Sequence, residues 1–144
     1  MFVEGSLVQI LDKGSATNIV SIFEVKENQI RIIYEEGEFY REDNLIKKFA
    51  ENPQIKRIIL KTPLEEGTSW ESAKHKKEIV EVNKTVNLPA GSFHDVVKVQ
   101  SSPLSEKDNY ETYRYYAKNI GLIKQVTKGE EYENRLELEF YGNR

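Results

Sequence analysis

The chain has 144 residues, no cysteine, and 21 basic against 24 acidic side chains, which give a formal net charge of −3 at pH 7. This length suits one globular domain, and a chain without cysteine forms no disulfide, thiolate metal site or cysteine nucleophile. Charges of both signs are interspersed without a basic block, so nucleic acid is not an expected partner.

The sequence predicts no membrane-spanning helix, because no stretch approaches about 18 consecutive apolar residues. Residues 1–5 lack the charged and apolar regions of a signal peptide. We therefore expect a cytoplasmic protein if Met1 is the native start, and an exported one if Met1 replaces a removed leader.

Alternation of apolar and polar residues dominates the chain, as in half-buried antiparallel strands. Turn residues separate these segments at a spacing of about 8–12 residues. The sequence therefore predicts an all-β fold: a single antiparallel, curved sheet, open-barrel or sandwich-like, of about 8–10 strands, forming one domain over residues 1–144. The predicted strands are residues 7–11, 17–25, 29–34, 38–40, 57–61, 78–86, 95–100, 111–117, 121–126 and 136–140.

Only residues 42–50 show helical spacing. Leu45, Ile46 and Phe49 are the apolar residues of this segment, and Pro53 limits its extent. The pattern predicts a short helix or turn there. Residues 101–109, rich in Ser, Asp and Asn with one leucine, are predicted to form a loop.

Two connections between predicted strands combine turn residues with an aromatic residue. Gly67 is expected to adopt a positive φ before Trp70 opens the next strand, where the indole either plugs the core or stacks on a ligand. In residues 88–93, a proline and a glycine favour a tight reversal that directs Phe93 into the core. We expect Trp70, Phe93 and Leu122 to pack in one core.

Residues 113–116 form a tyrosine-rich segment on a predicted strand. Tyr113 and Tyr115 share one face of that strand, and Arg114 and Tyr116 share the other. This pattern is typical of amphipathic sheet packing, or of an aromatic-lined groove for an apolar or sugar ligand. Together with Trp70, these four residues are the candidate ligand-binding set.

No pattern in the sequence indicates a catalytic or metal site. His75 and His94 are the only histidines, and His94 and Asp95 are neighbours expected on opposite faces of a strand. No cluster has metal-ligand spacing, and the segment around Gly91-Ser92 lacks the second glycine of a nucleophile elbow. We predict no catalytic residue, no metal and no cofactor.

Three sequence blocks carry a resemblance to a known group of proteins. They are Leu60–Trp70, Pro89–Asp95 and Tyr115–Lys124, with the patterns L-x-x-P-L-x-x-G-x-x-W, P-A-G-x-F-x-D and Y-Y-A-x-x-x-G-L-I-K. In these blocks the chain resembles uncharacterised bacterial cell-envelope proteins, often lipoproteins of Gram-positive and related bacteria. Asn119 departs from the glycine that is frequent at its position, and residues 1–56 match only loosely.

The resemblance implies an exported antiparallel β domain, lipid-anchored through a leader. It brings no catalytic residue. The leading hypothesis is a non-enzymatic extracytoplasmic domain that binds an unidentified ligand or a cell-envelope protein. The alternatives are a purely structural or interaction module and, ranked last, a cell-wall hydrolase acting through two carboxylates within about 5–10 Å of each other.

Overall fold

The computed structural model describes residues 1–142. Strands account for 60% of the structure and helix for 4%, which confirms the predicted all-β class. The chain divides into two compact units, Met1–Lys61 and Thr62–Arg144. The single domain predicted for residues 1–144 stays a prediction. Within residues 1–142, no helix has the length and apolar character needed to cross a bilayer.

The first unit is a five-stranded antiparallel meander in which each strand pairs with the next along the chain. Its elements are β1 (Phe2–Glu4), β2 (Leu7–Lys13), β3 (Asn18–Val25), β4 (Gln29–Gly37), α1 (Ile46–Ala50) and β5 (Arg57–Lys61). The helix confirms the helical spacing at residues 42–50. The strand predicted at 38–40 is wrong, because Glu38 takes a left-handed φ of 55° that interrupts extended backbone.

The second unit is a six-stranded antiparallel sheet with the order β11-β10-β9-β8-β7-β6. Its strands are β6 (Ser69–Ser72), β7 (His75–Leu88), β8 (Gly91–Pro103), β9 (Tyr110–Ala117), β10 (Gly121–Gly129) and β11 (Glu133–Glu137). The predicted loop at 101–109 is shorter than expected, because β8 continues to Pro103. Gly67 has the expected positive φ of 95°.

The prediction of a single sheet is wrong, since the strands form separate sheets of five and six, neither closed into a barrel. Pro63 follows β5 and has no N–H to donate to a ladder. The next strand, β6, then pairs with β7 instead of extending the first sheet. Alternation shows that a strand has one buried face, but it does not show which strand lies beside it.

Buried polar side chains in the first unit are paired with specific partners. The Gln9 amide donates to the Asp43 carbonyl at 2.8 Å and accepts from the Leu45 N–H at 2.7 Å, which fixes the chain that enters α1. Glu24 accepts two hydrogen bonds from Arg31, directly opposite on β4, each at 2.7 Å. This pairing lowers the pKa of Glu24 despite the opposing effect of burial.

The second unit has a core cluster at one end of its sheet. Phe93 belongs to this cluster, whose buried members are Val86, Phe93, Val96, Tyr115, Ala117, Ile123 and Val126. Lys84 on β7 pairs with Val96 on β8, and the register shifts on each side of this pair. Asn83 and Asp95, the neighbours of Lys84 and Val96 in sequence, adopt left-handed backbone conformations at these shifts. Such bulges increase the local twist of a hairpin, so β7 and β8 bring their apolar residues onto the same cluster as β9 and β10.

The prediction that Trp70, Phe93 and Leu122 share one core is wrong. Trp70 and Phe93 are each 6% exposed, but Leu122 is 41% exposed. Trp70 is also outside the cluster around Phe93 among the described residues. The register between β9 and β10 shifts after Leu122, and the neighbouring Ile123 takes the buried position instead.

The prediction of a half-buried strand over Leu136–Phe140 is also wrong. The strand β11 ends at Glu137, is exposed along its whole length, and leaves Leu136 66% exposed. Leu136 and Glu137 lie on an edge strand with a neighbour on one side only. Of the apolar residues in this segment, Leu138 is partly buried against the cluster around Phe93, whereas Leu136 and Phe140 are each more than half exposed.

Replacing Gln9 with alanine should destabilise the protein by about 2 kcal/mol, because it removes two hydrogen bonds, one to the Asp43 carbonyl and one from the Leu45 N–H, each worth about 1 kcal/mol. Urea unfolding measures this change, and hydrogen exchange at the Leu45 amide should accelerate. Gln54→Ala, at an exposed position, is the control and should stay within about 0.5 kcal/mol of wild type. Equal stability of the two variants would contradict the role of Gln9.

Phe93→Ala should cost about 3–5 kcal/mol, because it opens a cavity in the second unit's cluster. The matched comparison is Leu122→Ala, which should cost about 1 kcal/mol or less, since that side chain is already partly in water. Chemical denaturation of both variants measures the difference. A larger loss of stability in Leu122→Ala than in Phe93→Ala would contradict the burial of Phe93 and the exposure of Leu122.

Candidate ligand-binding face

The central strands of the second sheet place lysines and tyrosines in register. Tyr115 on β9 lies directly between Lys98 on β8 and Lys124 on β10. Four residues before Tyr115 on β9, Glu111 lies opposite Lys128 on β10. Because directly opposed residues of an antiparallel sheet point to the same side, these side chains share one face with Tyr113.

The lysine ammonium groups lie over the tyrosine rings. Lys98 Nζ is 4.8 Å from the Tyr113 ring centroid and 5.5 Å from that of Tyr115. Lys124 Nζ is 5.3 Å from the Tyr115 centroid, and Lys128 Nζ is 5.6 Å from that of Tyr113. These distances suit cation–π attraction. We call Tyr113, Tyr115, Lys98, Lys124 and Lys128 the lysine–tyrosine face, together with Lys84, which shares the Glu81 carboxylate with Lys98.

The two tyrosines differ in their access to solvent. Tyr115 is 8% exposed and belongs to the core cluster, whereas Tyr113 packs against the margin of that cluster and is partly exposed. The Tyr113 hydroxyl donates to the Glu111 carboxylate at 2.7 Å. This hydrogen bond, together with burial, raises the pKa of Tyr113. Tyr113 is therefore the tyrosine of this face that a ligand could reach.

Carboxylates balance the charge of the lysine–tyrosine face. Glu81 accepts from Lys84 at 2.7 Å and lies 3.7 Å from Lys98. Glu137 lies opposite Lys124 in the register, and Glu133 lies opposite Lys128. With Glu111, these residues set four carboxylates beside the four lysines, and Arg135, opposite Val126 between Glu133 and Glu137, adds a fifth cation on the same side. The face therefore alternates donors and acceptors and has a surplus of one positive charge.

The structure splits the predicted ligand-binding set between the two sides of the sheet. Tyr113 and Tyr115 lie on the lysine–tyrosine face. Arg114 is on the opposite side, where its Nε donates to Gln125 Oε1 at 3.0 Å. Tyr116 alternates with Tyr115 and lies on that opposite side as well.

Trp70 also belongs to the side that carries Arg114. The register connects it through Lys77 and Ser101 to Thr112, two residues before Arg114 on β9. All four residues of this row are buried. The burial of Trp70 is in line with the core-packing interpretation of its position.

Sequence reasoning missed the lysines and Glu111 as neighbours of the tyrosines. Lys98 and Lys124 each lie in predicted strands, but their sequence separation from Tyr115 carries no signal of contact. Only the pairing register of β8, β9 and β10 places them beside it. A lysine at an alternating position on each flanking strand was the only local indication.

The histidines make local hydrogen bonds. His75 Nδ1 lies 2.8 Å from the Ala73 carbonyl, which accepts and therefore assigns the proton to Nδ1. His75 Nε2 lies 3.0 Å from the Tyr110 hydroxyl, and His94 Nδ1 lies 3.2 Å from Thr85 Oγ1. Within residues 1–142, no three or more His, Asp or Glu side chains converge as metal ligands would.

Comparison of the chain with protein-family models, with curated proteins and with solved structures finds no match in any of the three. The resemblance to cell-envelope proteins and the candidate ligand-binding set therefore stay predictions.

The pKa of the Glu81 carboxyl should lie below the usual value for a glutamate, because Lys84 donates to the carboxylate and Lys98 adds a second positive charge. A carboxyl whose pKa is lowered on folding stabilises the protein above its unfolded pKa, and this contribution disappears as the pH falls through the folded pKa. Carbon-detected NMR titration of the side chain measures the value. Lys84→Met should raise the pKa of Glu81. The control variant is Lys107→Met, in an exposed turn, which should leave that pKa unchanged. The same pKa in wild type and both variants would refute the pairing of Glu81 with Lys84.

Proposed function

We propose that the chain is a non-enzymatic, extracytoplasmic β domain that binds a glycan of the bacterial cell envelope on its lysine–tyrosine face. The observation that carries this proposal is the partly exposed Tyr113 ring, set among alternating ammonium and carboxylate groups on one side of the sheet. The cell-envelope setting is supported by the resemblance of the three sequence blocks.

The charge balance of the face decides between two classes of ligand. A polyanion is attracted by a large surplus of positive charge, but the four lysines and Arg135 here are offset, save for one charge, by Glu81, Glu111, Glu133 and Glu137. A polyhydroxylated ligand uses donors and acceptors together and needs no net charge. An aromatic ring beside such groups provides an apolar surface for the C–H face of a sugar.

Movement of one side chain would make Tyr113 accessible. Lys128 is exposed, and its ammonium group is the more distant of the two over the Tyr113 ring. A long lysine side chain at an exposed position costs little to displace. A sugar could then take its place against the ring while Lys98 and Glu111 bond to hydroxyl groups at its edge.

An interaction module is the second candidate, and the exposed C-terminal segment favours it. Leu136, Phe140 and Tyr141 lie within six residues of one another and are each more than half exposed. Apolar groups concentrated in this way are typical of surfaces that contact another protein. In this alternative the partner is a cell-envelope protein.

A carboxylate-dependent hydrolase has less support. A general acid needs a carboxyl whose pKa is raised. Glu24 and Glu81 have lowered pKa values, because each is paired with two cations. Both carboxyls are therefore held in the ionised form.

The glycan proposal can be tested by NMR titration with N-acetylglucosamine oligomers and soluble muropeptides. We expect shift changes at Tyr113, Lys98 and Lys128. Tyr113→Ala should weaken binding about fivefold, since loss of an aromatic contact costs on the order of 1 kcal/mol. Affinity should change little with salt, because four carboxylates offset all but one of the positive charges on the face.

Two variants serve as controls for the Tyr113 substitution. Tyr116→Ala removes a tyrosine from the opposite side of the same strand, and Tyr40→Ala removes an exposed tyrosine from the first unit. Both should bind like wild type once they are shown to be folded. Absence of binding to every glycan, or equal losses in Tyr113→Ala and Tyr40→Ala, would contradict the proposal.

A further inference from the structure

The strand β11 is an edge whose outward backbone groups are open. Leu138 donates to the Ile123 carbonyl and Gly129 donates to the Tyr132 carbonyl, each at 2.9 Å. Hydrogen-bonded pairs alternate along an antiparallel ladder, so Asn134 and Leu136 also direct their backbone groups toward β10. Glu133, Arg135 and Glu137 therefore direct their N–H and C=O groups away from the sheet.

Side chains on this edge are accessible from both faces. All five residues of β11 are exposed. Leu136 and Tyr132 are 66% and 51% exposed and project to the same side, because they are four residues apart on an extended segment. Glu133 and Arg135 project to the other side and bond to each other at 3.2 Å.

The charges of β11 select among the ways in which two copies could pair antiparallel. Centring the two-fold axis on Arg135 sets the two arginines against each other and Glu133 against the other copy's Glu137. Centring it on Asn134 sets each Glu133 opposite the other copy's Arg135. Among the residues of β11, the second register replaces three like-charge pairs by two unlike pairs, and unlike charges opposite one another stabilise a sheet.

The same register matches the apolar residues. With Asn134 on the axis, Tyr132 of each copy lies opposite Leu136 of the other. These positions are non-hydrogen-bonded pairs, in which side chains approach more closely than in hydrogen-bonded pairs. Tyr132 is already held in place at this edge, because its ring lies directly over Gly129 in the β10–β11 turn.

We propose that two copies of this chain associate through antiparallel pairing of their β11 strands, with Asn134 on the two-fold axis. Six strands from each copy then form one continuous sheet of twelve. A two-fold axis perpendicular to the sheet keeps equivalent faces on the same side, so both lysine–tyrosine faces point in one direction. The paired strands are short, so the dimer is weak and forms only at high protein concentration.

Sedimentation equilibrium of the full chain, from micromolar to about millimolar concentration, tests this association. Wild type should move from monomer to dimer over this range. Arg135→Glu should raise the dissociation constant at least about tenfold, because symmetry converts two attractive contacts into two repulsive ones. Leu136→Lys should weaken the dimer by removing both Tyr132 contacts.

Exchanging the charges of two residues on β11 tests the register. Recovery of dimerisation in such a double variant also shows that the single variant lost the dimer through charge repulsion and not through misfolding. Glu133→Arg combined with Arg135→Glu restores both unlike pairs across the proposed axis, so dimerisation should recover. Arg135→Glu combined with Glu137→Arg should not recover it. Lys107→Glu changes the charge by the same amount away from β11 and should dimerise like wild type.

Circular dichroism and thermal melts establish that each variant is folded before it is compared. A monomer at every concentration would overturn the proposal, as would a dimer that Arg135→Glu leaves intact. Recovery only in the Arg135→Glu/Glu137→Arg variant would overturn the register with Asn134 on the axis. Glycan binding by a monomeric variant is an independent measurement and does not enter this test.

Discussion

The pairing register of β8, β9 and β10 is the constraint on which the second unit depends. It places Tyr115 between Lys98 and Lys124 and, in the same step, directs the Tyr115 ring into the cluster with Phe93 and Ile123. A slip of one residue would exchange the two sides of β9 and expose its core residues. The candidate face and the core are thus consequences of one set of backbone hydrogen bonds.

Departures from regular strands create the curvature that this register needs. The β7–β8 hairpin contains left-handed residues at Asn83 and Asp95, and its register shifts around them. Asn and Asp tolerate this conformation better than most residues, because short polar side chains stabilise it locally. Asn119 has a φ of 64° in the β9–β10 turn, so asparagine there adopts the conformation for which glycine is the usual choice.

In the first unit, buried polar side chains hold neighbouring segments of the chain in position. The Gln9 side chain forms hydrogen bonds with the backbone of Asp43 and of Leu45, just before α1. Phe49 of that helix stacks on Tyr34, with ring centroids 3.9 Å apart. Glu24 is held between Arg31 and Lys26. Losing one partner of such a group costs more than an exposed contact would, because the group left behind is buried without compensation.

The sequence by itself determined the strand class, a short helix or turn within residues 42–50, and the positive φ of Gly67, because these features depend on local spacing and local sterics. The division into two sheets, the exposed edge at Leu136 and the burial of Ile123 in place of Leu122 depended on which strands pair and where their register shifts. The tyrosine-rich sequence was enough to make Tyr113 a candidate ligand-binding residue. Only the tertiary structure shows that Lys98, Lys128 and Glu111 surround its side chain. Contacts between strands join residues far apart in the chain, and alternation within each strand contains no information about its partner's register.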